Sequence, residues 1–231
     1  MKILLINGSP KCGQSDTLQI TNAFIDGMND VCDCEVRSIE AVKLNIGYCT
    51  GCLSCMNGGR CVLNDDMADV LSAFAGSDLI LMSFPLYCYG VPAPMKVLLD
   101  RLLPLSCAEM IAHDGRYSHP VRTDLSSLHF AVISGCGFPN TEGNFEPLRL
   151  QMNLMFPYNL FMLTVAEAPL FNAPEAAPVT VPYLDKVRRA GREYAESFSV
   201  SDNLMSELAM PMIPTKTYAD ICSMNAKQNS R

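Results

Sequence analysis

Cys49, Cys52, Cys55 and Cys61 follow one another at C-x2-C-x2-C-x5-C spacing within a single short segment. Thiolates are soft ligands. Three of them at successive two-residue gaps can wrap a cuboidal cluster, as ferredoxin-type loops do with a different fourth spacing. Structural zinc sites instead pair two C-x2-C knuckles across a longer insert, and a thioredoxin-type C-x2-C needs a helix start after its first cysteine. A 4Fe–4S cluster is the leading reading, and a structural thiol loop is the other. Cys32 and Cys34 stand at C-x-C spacing and read as buried thiols rather than ligands.

A second group lies near the start, where the apolar residues Ile3 to Ile6 run into Asn7-Gly8-Ser9-Pro10-Lys11-Cys12-Gly13-Gln14-Ser15-Asp16-Thr17. Such a loop offers unpaired N–H groups, the hydroxyls of Ser9, Ser15 and Thr17, and the positive end of a helix starting near Asp16. Together these suit a phosphate monoester. No G-x-G-x-x-G and no G-K-[ST] is present, which excludes the dinucleotide fingerprint and the Walker loop. The alternative is an ordinary turn in which Ser15 or Asp16 caps the helix. His113 and His119 flank Asp114-Gly115-Arg116 and read as solvated loop residues, with a substrate mouth as the other possibility. No side chain is assigned as a general base.

These residues need a frame. Strand patterns at 2–6, 34–39, 79–84, 128–134 and 160–166 alternate with helical patterns at 16–28, 65–75, 94–103, 144–156 and 181–197. Residues 104–126 form an irregular polar excursion. This alternation predicts an α/β fold with a doubly wound five-stranded parallel sheet in flavodoxin-like order 2-1-3-4-5. The switch point falls between the first and third strands, so the loops after them face each other across a ligand crevice. The loop after the third strand, Pro85-Leu86-Tyr87-Cys88-Tyr89-Gly90, has two aromatics, a stiffening proline and a glycine that permits close approach. A flat tricyclic ring needs stacking surface and backbone groups at its polar edge, and this loop supplies both. Ser134-Gly135-Cys136-Gly137-Phe138, after the fourth strand, approaches the same edge.

The stretches Asn7 to Lys11, Ser15 to Thr17, Pro85 to Tyr87, Gly90 to Lys96 and Asp100-Arg101 together resemble the flavodoxin-like, FMN-binding family of NAD(P)H-dependent oxidoreductases and FMN reductases. The cysteine spacing resembles that of its iron–sulfur flavoprotein branch. The resemblance implies that Ser9, Lys11, Ser15, Asp16 and Thr17 hold the FMN phosphate. It implies that Pro85, Leu86, Tyr87, Cys88, Tyr89 and Gly90, with Ser134, Gly135, Cys136 and Gly137, hold the isoalloxazine. Cys49, Cys52, Cys55 and Cys61 become the cluster ligands, and a homodimer or larger assembly is implied. Lys11 stands where the family often has Arg, keeping the charge without the bidentate fork. Cys88 replaces a common bulky aromatic, which opens space above the ring. The expected function is an FMN-dependent oxidoreductase passing electrons from NAD(P)H or a reduced carrier to a quinone, flavin, oxygen or other small acceptor. The alternative is an electron-transfer iron–sulfur flavoprotein fed by ferredoxin, without nicotinamide activity. A thiol-rich metal-binding protein would leave the flavin loops unexplained.

Composition narrows the classes further. The 231 residues carry a net charge of −7, which leaves no basic stripe for nucleic acid. The first residues read as neither a signal peptide nor a membrane span, so a cytoplasmic protein is expected, and there eleven cysteines do not form a disulfide framework. Residues 1–200 read as the FMN-binding domain, with the cysteine loop at 41–64 inserted after the second strand. In the tail, 201–231, Leu204, Met205, Leu208, Met210, Met212 and Ile213 make a Met-rich apolar patch, packed on its own domain or on a partner subunit.

Overall fold

The computed structural model describes residues 1–113, 115–122 and 124–229. In chain order, β1 (Lys2–Asn7) leads into α1 (Asp16–Asn29), and β2 (Glu35–Glu40) is followed by the short α2 (Ser54–Gly58) and by α3 (Met67–Ala75). Next, β3 (Leu79–Pro85) leads to α4 (Ala93–Asp100). A small antiparallel hairpin, β4 (Ile111–His113) and β5 (Arg116–Ser118), precedes β6 (His129–Gly135). Then come α5 (Glu146–Met155), β7 (Leu160–Val165), α6 (Ala177–Ser197), α7 (Asp202–Ala209) and α8 (Thr215–Asn229).

The main sheet runs β2-β1-β3-β6-β7 with every pair parallel, which is the 2-1-3-4-5 order. Central β3 is buried along all but its last residue, as continuous apolar runs in a parallel sheet require. β2 reads EVRSIE, and its first four residues are exposed; charged side chains suit an edge strand. Side-chain alternation divides the core. Leu4, Ile6, Ile80, Met82 and Val132 face Val70, Phe74, Leu98, Leu148 and Met152 from α3, α4 and α5. On the other face Ile3, Leu5, Leu81, Ile133 and Leu163 pack with Ile20, Phe24, Val187 and Tyr194 from α1 and α6. There the two helices cross with their backbones nearly touching. A Cβ on Gly27 would lie 1.9 Å from the Arg188 carbonyl oxygen, and one on Gly191 would lie 2.0 Å from that of Phe24. Asp30, just past α1, accepts hydrogen bonds from Arg188 (2.6 and 2.8 Å) and Arg192 (2.7 Å), which hold its carboxyl below the usual range.

Differences from the sequence reading are local. The second strand starts at Glu35, leaving Cys34 on the preceding turn. The third helix of the chain starts at Met67 rather than 65; Asp65 stands just ahead of it, accepting from the Met67 N–H (3.2 Å) and from Arg101. The polar excursion contains a hairpin, and within it Asp114 and Thr123 lie outside the described residues. The tail folds into two helices, with Leu204 and Leu208 in the core beside α6 and with Tyr218 buried. Among the described residues no helix is long and apolar enough to cross a membrane.

Candidate functional site

The first turn is held from inside. Asn7 Oδ1 accepts from the Ser9 N–H (3.0 Å), and its Nδ2 donates to the Cys12 carbonyl (3.1 Å) and to Glu40 Oε2 (2.8 Å). The Gly8 N–H donates to the Ser83 carbonyl (2.8 Å), and a Cβ there would collide with Met95 Cγ at 2.2 Å, so the turn lies flat against α4. Ser15 caps α1 by accepting from the Leu18 N–H (3.3 Å). The N–H groups of Asp16 and Thr17 find no partner among the described residues. Lys11 Nζ reaches Asp16 Oδ2 at 2.7 Å, and Asn172 on the far side donates to Asp16 Oδ1 and to the Gln14 carbonyl. Free amide donors, three buried hydroxyls and one ammonium thus surround a single point.

Beside it stands the loop after β3. Its Leu86 N–H donates to the Gly135 carbonyl at 2.8 Å. Tyr87 and Gly90 exchange N–H to carbonyl bonds at 3.1 and 3.0 Å, closing a turn in which Cys88 (φ 49°) and Tyr89 (φ 63°) are both left-handed. That is the primed hairpin turn, usually built from Asn and Gly. Two bulkier residues held there store strain on the order of 1–3 kcal/mol each, a pattern that clusters at ligand sites. The Tyr89 ring stacks on Phe138 with centroids 6.3 Å apart. Gly135 cannot carry a side chain: its Cβ would meet Ala168 Cβ at 2.7 Å and Thr17 Oγ1 at 3.1 Å. Cys136 is buried, and burial pushes its thiol up.

One cavity of about 200 Å³ joins these pieces at the C-terminal edge of the sheet. Of the residues expected there, Ser9, Lys11, Ser15, Asp16, Thr17, Pro85, Leu86, Tyr87, Gly135, Cys136 and Gly137 line it. Cys88, Tyr89, Gly90 and Ser134 do not. Cys88, Tyr89 and Gly90 form the outer turn, and Ser134 is buried in β6 with its hydroxyl unpartnered among the described residues. Ala168 and Pro169 complete the wall. Sequence reading missed them; the available signal was that the end of β7 must lie on this same sheet edge. Amide donors plus ammonium suit a phosphate, and Pro85, Leu86 and Tyr87 give a flat apolar wall, so the donor set fits FMN. His119 is exposed on the Glu109 carbonyl, and the side chain of His113 lies outside the described residues.

The cysteine loop is anchored by Arg101, which is 2 % exposed. Its guanidinium grips Asp65 with two bonds (2.7 and 2.9 Å) and donates to the Gly47 carbonyl (2.6 Å), holding the Asp65 carboxyl below its usual range. Arg122 donates to the Met56 carbonyl at 2.7 Å. Cys49 and Cys52 are exposed, Cys61 is part-exposed and Cys55 is buried. The N–H of Ser54, then the hydroxyls of Ser54 and Thr50, draw the Cys52 thiol down. Burial pushes Cys55 up, with charge at Cys61, Cys49 and Cys52 adding to it. All four are free thiols within electrostatic reach, the donor chemistry an iron–sulfur cluster needs. Among the described residues no three His, Cys, Asp or Glu groups are gathered closely enough to hold a metal ion. Cys32 and Cys34 correct the sequence reading: both are part-exposed rather than buried, because the strand begins after them. Their sulfurs lie 3.8 Å apart, and burial together with the Cys32 thiol pushes Cys34 up to about 11.

A family model described as NADPH-dependent FMN reductase matches residues 1–135. An iron-sulfur flavoprotein of Archaeoglobus fulgidus is 35% identical over 104 residues, covering 45% of this chain and 46% of that relative. The match thus spans about half of each protein. Among solved structures, an azoreductase from Bacillus anthracis superposes with a TM-score of 0.62 at 14% identity, covering 84% of this chain and 99% of that one. An NAD(P)H:quinone oxidoreductase from Methanothermobacter marburgensis gives 0.61 at 18% identity, covering 84% and 95%. At such identities the likeness is one of fold.

Proposed function

The chain belongs to the NADPH-dependent FMN reductase family, and from that premise we propose an FMN-dependent oxidoreductase that moves electrons from NAD(P)H or a reduced carrier to a small acceptor. In this reading Cys49, Cys52, Cys55 and Cys61 hold a 4Fe–4S cluster. The observation that carries the flavin reading is a cavity in which an anion cradle and an apolar wall meet at the C-terminal edge of the parallel sheet. FMN, when bound, supplies hydride and single-electron chemistry that side chains lack. The chain binds and orients. Lys11 and the free amides of Asp16 and Thr17 neutralise and fix a phosphate. Pro85 to Tyr87 give the ring a surface, and Ala168 with Pro169 keeps water from the far side. Residues 1–200 act as the flavin-binding unit, on which α7 and α8 pack.

Four free thiols on one anchored loop, and the name of the Archaeoglobus relative, support the cluster. The names of the fold neighbours, azoreductase and quinone oxidoreductase, suggest a small, flat acceptor. The same cysteine loop favours a second reading. A cluster passes electrons singly, so a ferredoxin-type donor would feed the flavin, and nicotinamide would play no part.

Anaerobically purified protein should carry FMN with about four irons and matching sulfide per chain. Mixing it with NADH, NADPH or reduced ferredoxin then separates the readings: bleaching by nicotinamide supports the reductase, and bleaching by ferredoxin alone supports the electron carrier. Flavin without iron would reduce the loop to structure. Protein that takes up neither after reconstitution would sink the proposal.

A further inference from the structure

Cys32 and Cys34 lie at the other end of the sheet from the flavin cavity, on the turn between α1 and β2. The function proposed above makes no use of them. Three features set them apart from incidental thiols. Their sulfurs stand 3.8 Å apart. Two thiolates bound about 2.3 Å from one tetrahedral ion stand roughly 3.8 Å apart as well, whereas a linear two-coordinate ion would need about 4.6 Å. The turn is also fastened from both sides. The Cys32 N–H donates to the Met28 carbonyl at 3.0 Å, the Cys34 N–H to Asn29 Oδ1 at 3.2 Å, and the Glu35 N–H to the Met1 carbonyl at 2.9 Å. Little backbone freedom is left to lose on binding. Both thiols are part-exposed and unbridged, so an ion can reach them.

We propose that Cys32 and Cys34 form a two-thiolate site for a soft d10 dication of the zinc and cadmium class. The pair binds by releasing two thiol protons to solvent and forming two metal–sulfur bonds, with no change of oxidation state. No larger set of His, Cys, Asp or Glu is gathered around the pair among the described residues. Solvent or a small thiol therefore fills the remaining positions, which makes the site exchangeable rather than structural. Asp33 and Glu35 flank the turn and favour a cation, offset in part by the Met1 ammonium, which donates to the Asp33 carbonyl at 2.7 Å. Asp30 adds little, because Arg188 and Arg192 already compensate its charge.

The test uses the full chain as isolated, with whatever flavin and iron it carries, and Cd(II) as the probe. Protein with and without cadmium is pulsed with iodoacetamide and digested with trypsin. Cutting after Lys11 and Arg37 yields one peptide, residues 12–37, that contains Cys12, Cys32 and Cys34 but none of the loop cysteines. Cadmium should slow alkylation of Cys32 and Cys34 together by roughly tenfold while leaving Cys12 unchanged, since a metal-bound thiolate is masked as a nucleophile. Wild type should also take up one more cadmium than either Cys32→Ser or Cys34→Ser. Unchanged labelling of the pair, protection of only one thiol, or equal protection of Cys12 would each overturn the proposal. The labelling arm needs no variant, so a variant that misfolds does not blunt the test.

Discussion

Lys11 separates two roles that a single residue can play. Its ammonium meets Asp16 at 2.7 Å, yet 55 % of the side chain is exposed and Asp16 is 15 % exposed. A pair so open to water contributes only about 0–1 kcal/mol to stability. A phosphate in the cradle would gain a charge-assisted hydrogen bond from the same ammonium, worth on the order of 1.5–3 kcal/mol. Lys11→Ala is therefore expected to shift Tm little while weakening FMN binding by about tenfold or more, with Lys11→Arg restoring most of the affinity. Thermal melting and fluorescence titration with FMN check the two halves, and equal affinity in Lys11→Ala would remove the residue from the phosphate site. Lys11, Ser15 and Thr17 were legible in the sequence because they share one loop, so spacing alone brings them together. Ala168 and Pro169 were missed although the expected strand order already set β7 beside β6, because the left-handed turn at Glu167 that carries the chain into the wall has no local pattern.

Among the elements, the cysteine loop illustrates the same limit. Asp65 reads locally as an acidic helix start, and it does accept from the Met67 N–H at 3.2 Å, but its carboxylate also grips Arg101, 36 positions away at the end of α4. The central parallel strands were legible from their apolar runs, whose hydrophobic burial needs no named partner. A buried ion pair does need one, and either half alone looks like an ordinary charged surface residue. Removing one partner leaves the other charge buried and uncompensated, at a cost of about 3–5 kcal/mol. Arg101→Met should therefore lower Tm and also release the loop that Gly47 and Asp65 tie down. The loop contains an exposed trypsin site at Arg60. Cleavage there should quicken in the variant relative to cutting elsewhere in the chain, as followed by mass spectrometry. Unchanged cutting at Arg60 with a lowered Tm would mean that the pair stabilises the sheet but does not hold the loop.

Across the whole molecule, the tail is joined to the cavity edge of the sheet through Glu167, two residues past β7. This carboxyl is fully buried and held at φ 56°; it accepts from the Met212 N–H at 2.6 Å, and its second oxygen is unpartnered among the described residues. Nearby, the Tyr183 hydroxyl donates to the Leu208 carbonyl (2.8 Å) and that of Tyr218 to Gly137 (3.2 Å), so α7 packs on α6 while α8 reaches the cavity wall. The Met-rich pattern indicated apolar packing there but gave no hint that a buried acid would receive it. Burial raises the Glu167 pKa above its ordinary 4.5. The folded chain then holds this proton more tightly than the unfolded chain does. Its contribution is fully present below about pH 4.5 and is lost as pH rises through the raised value. Glu167→Gln keeps an acceptor for Met212 but cannot ionise. Measured against pH, the Tm of wild type should fall relative to Glu167→Gln from about pH 4.5 upward and then run parallel to it. Parallel curves across the whole range would show that the acid is not what makes the seam between the tail and the cavity edge sensitive to pH.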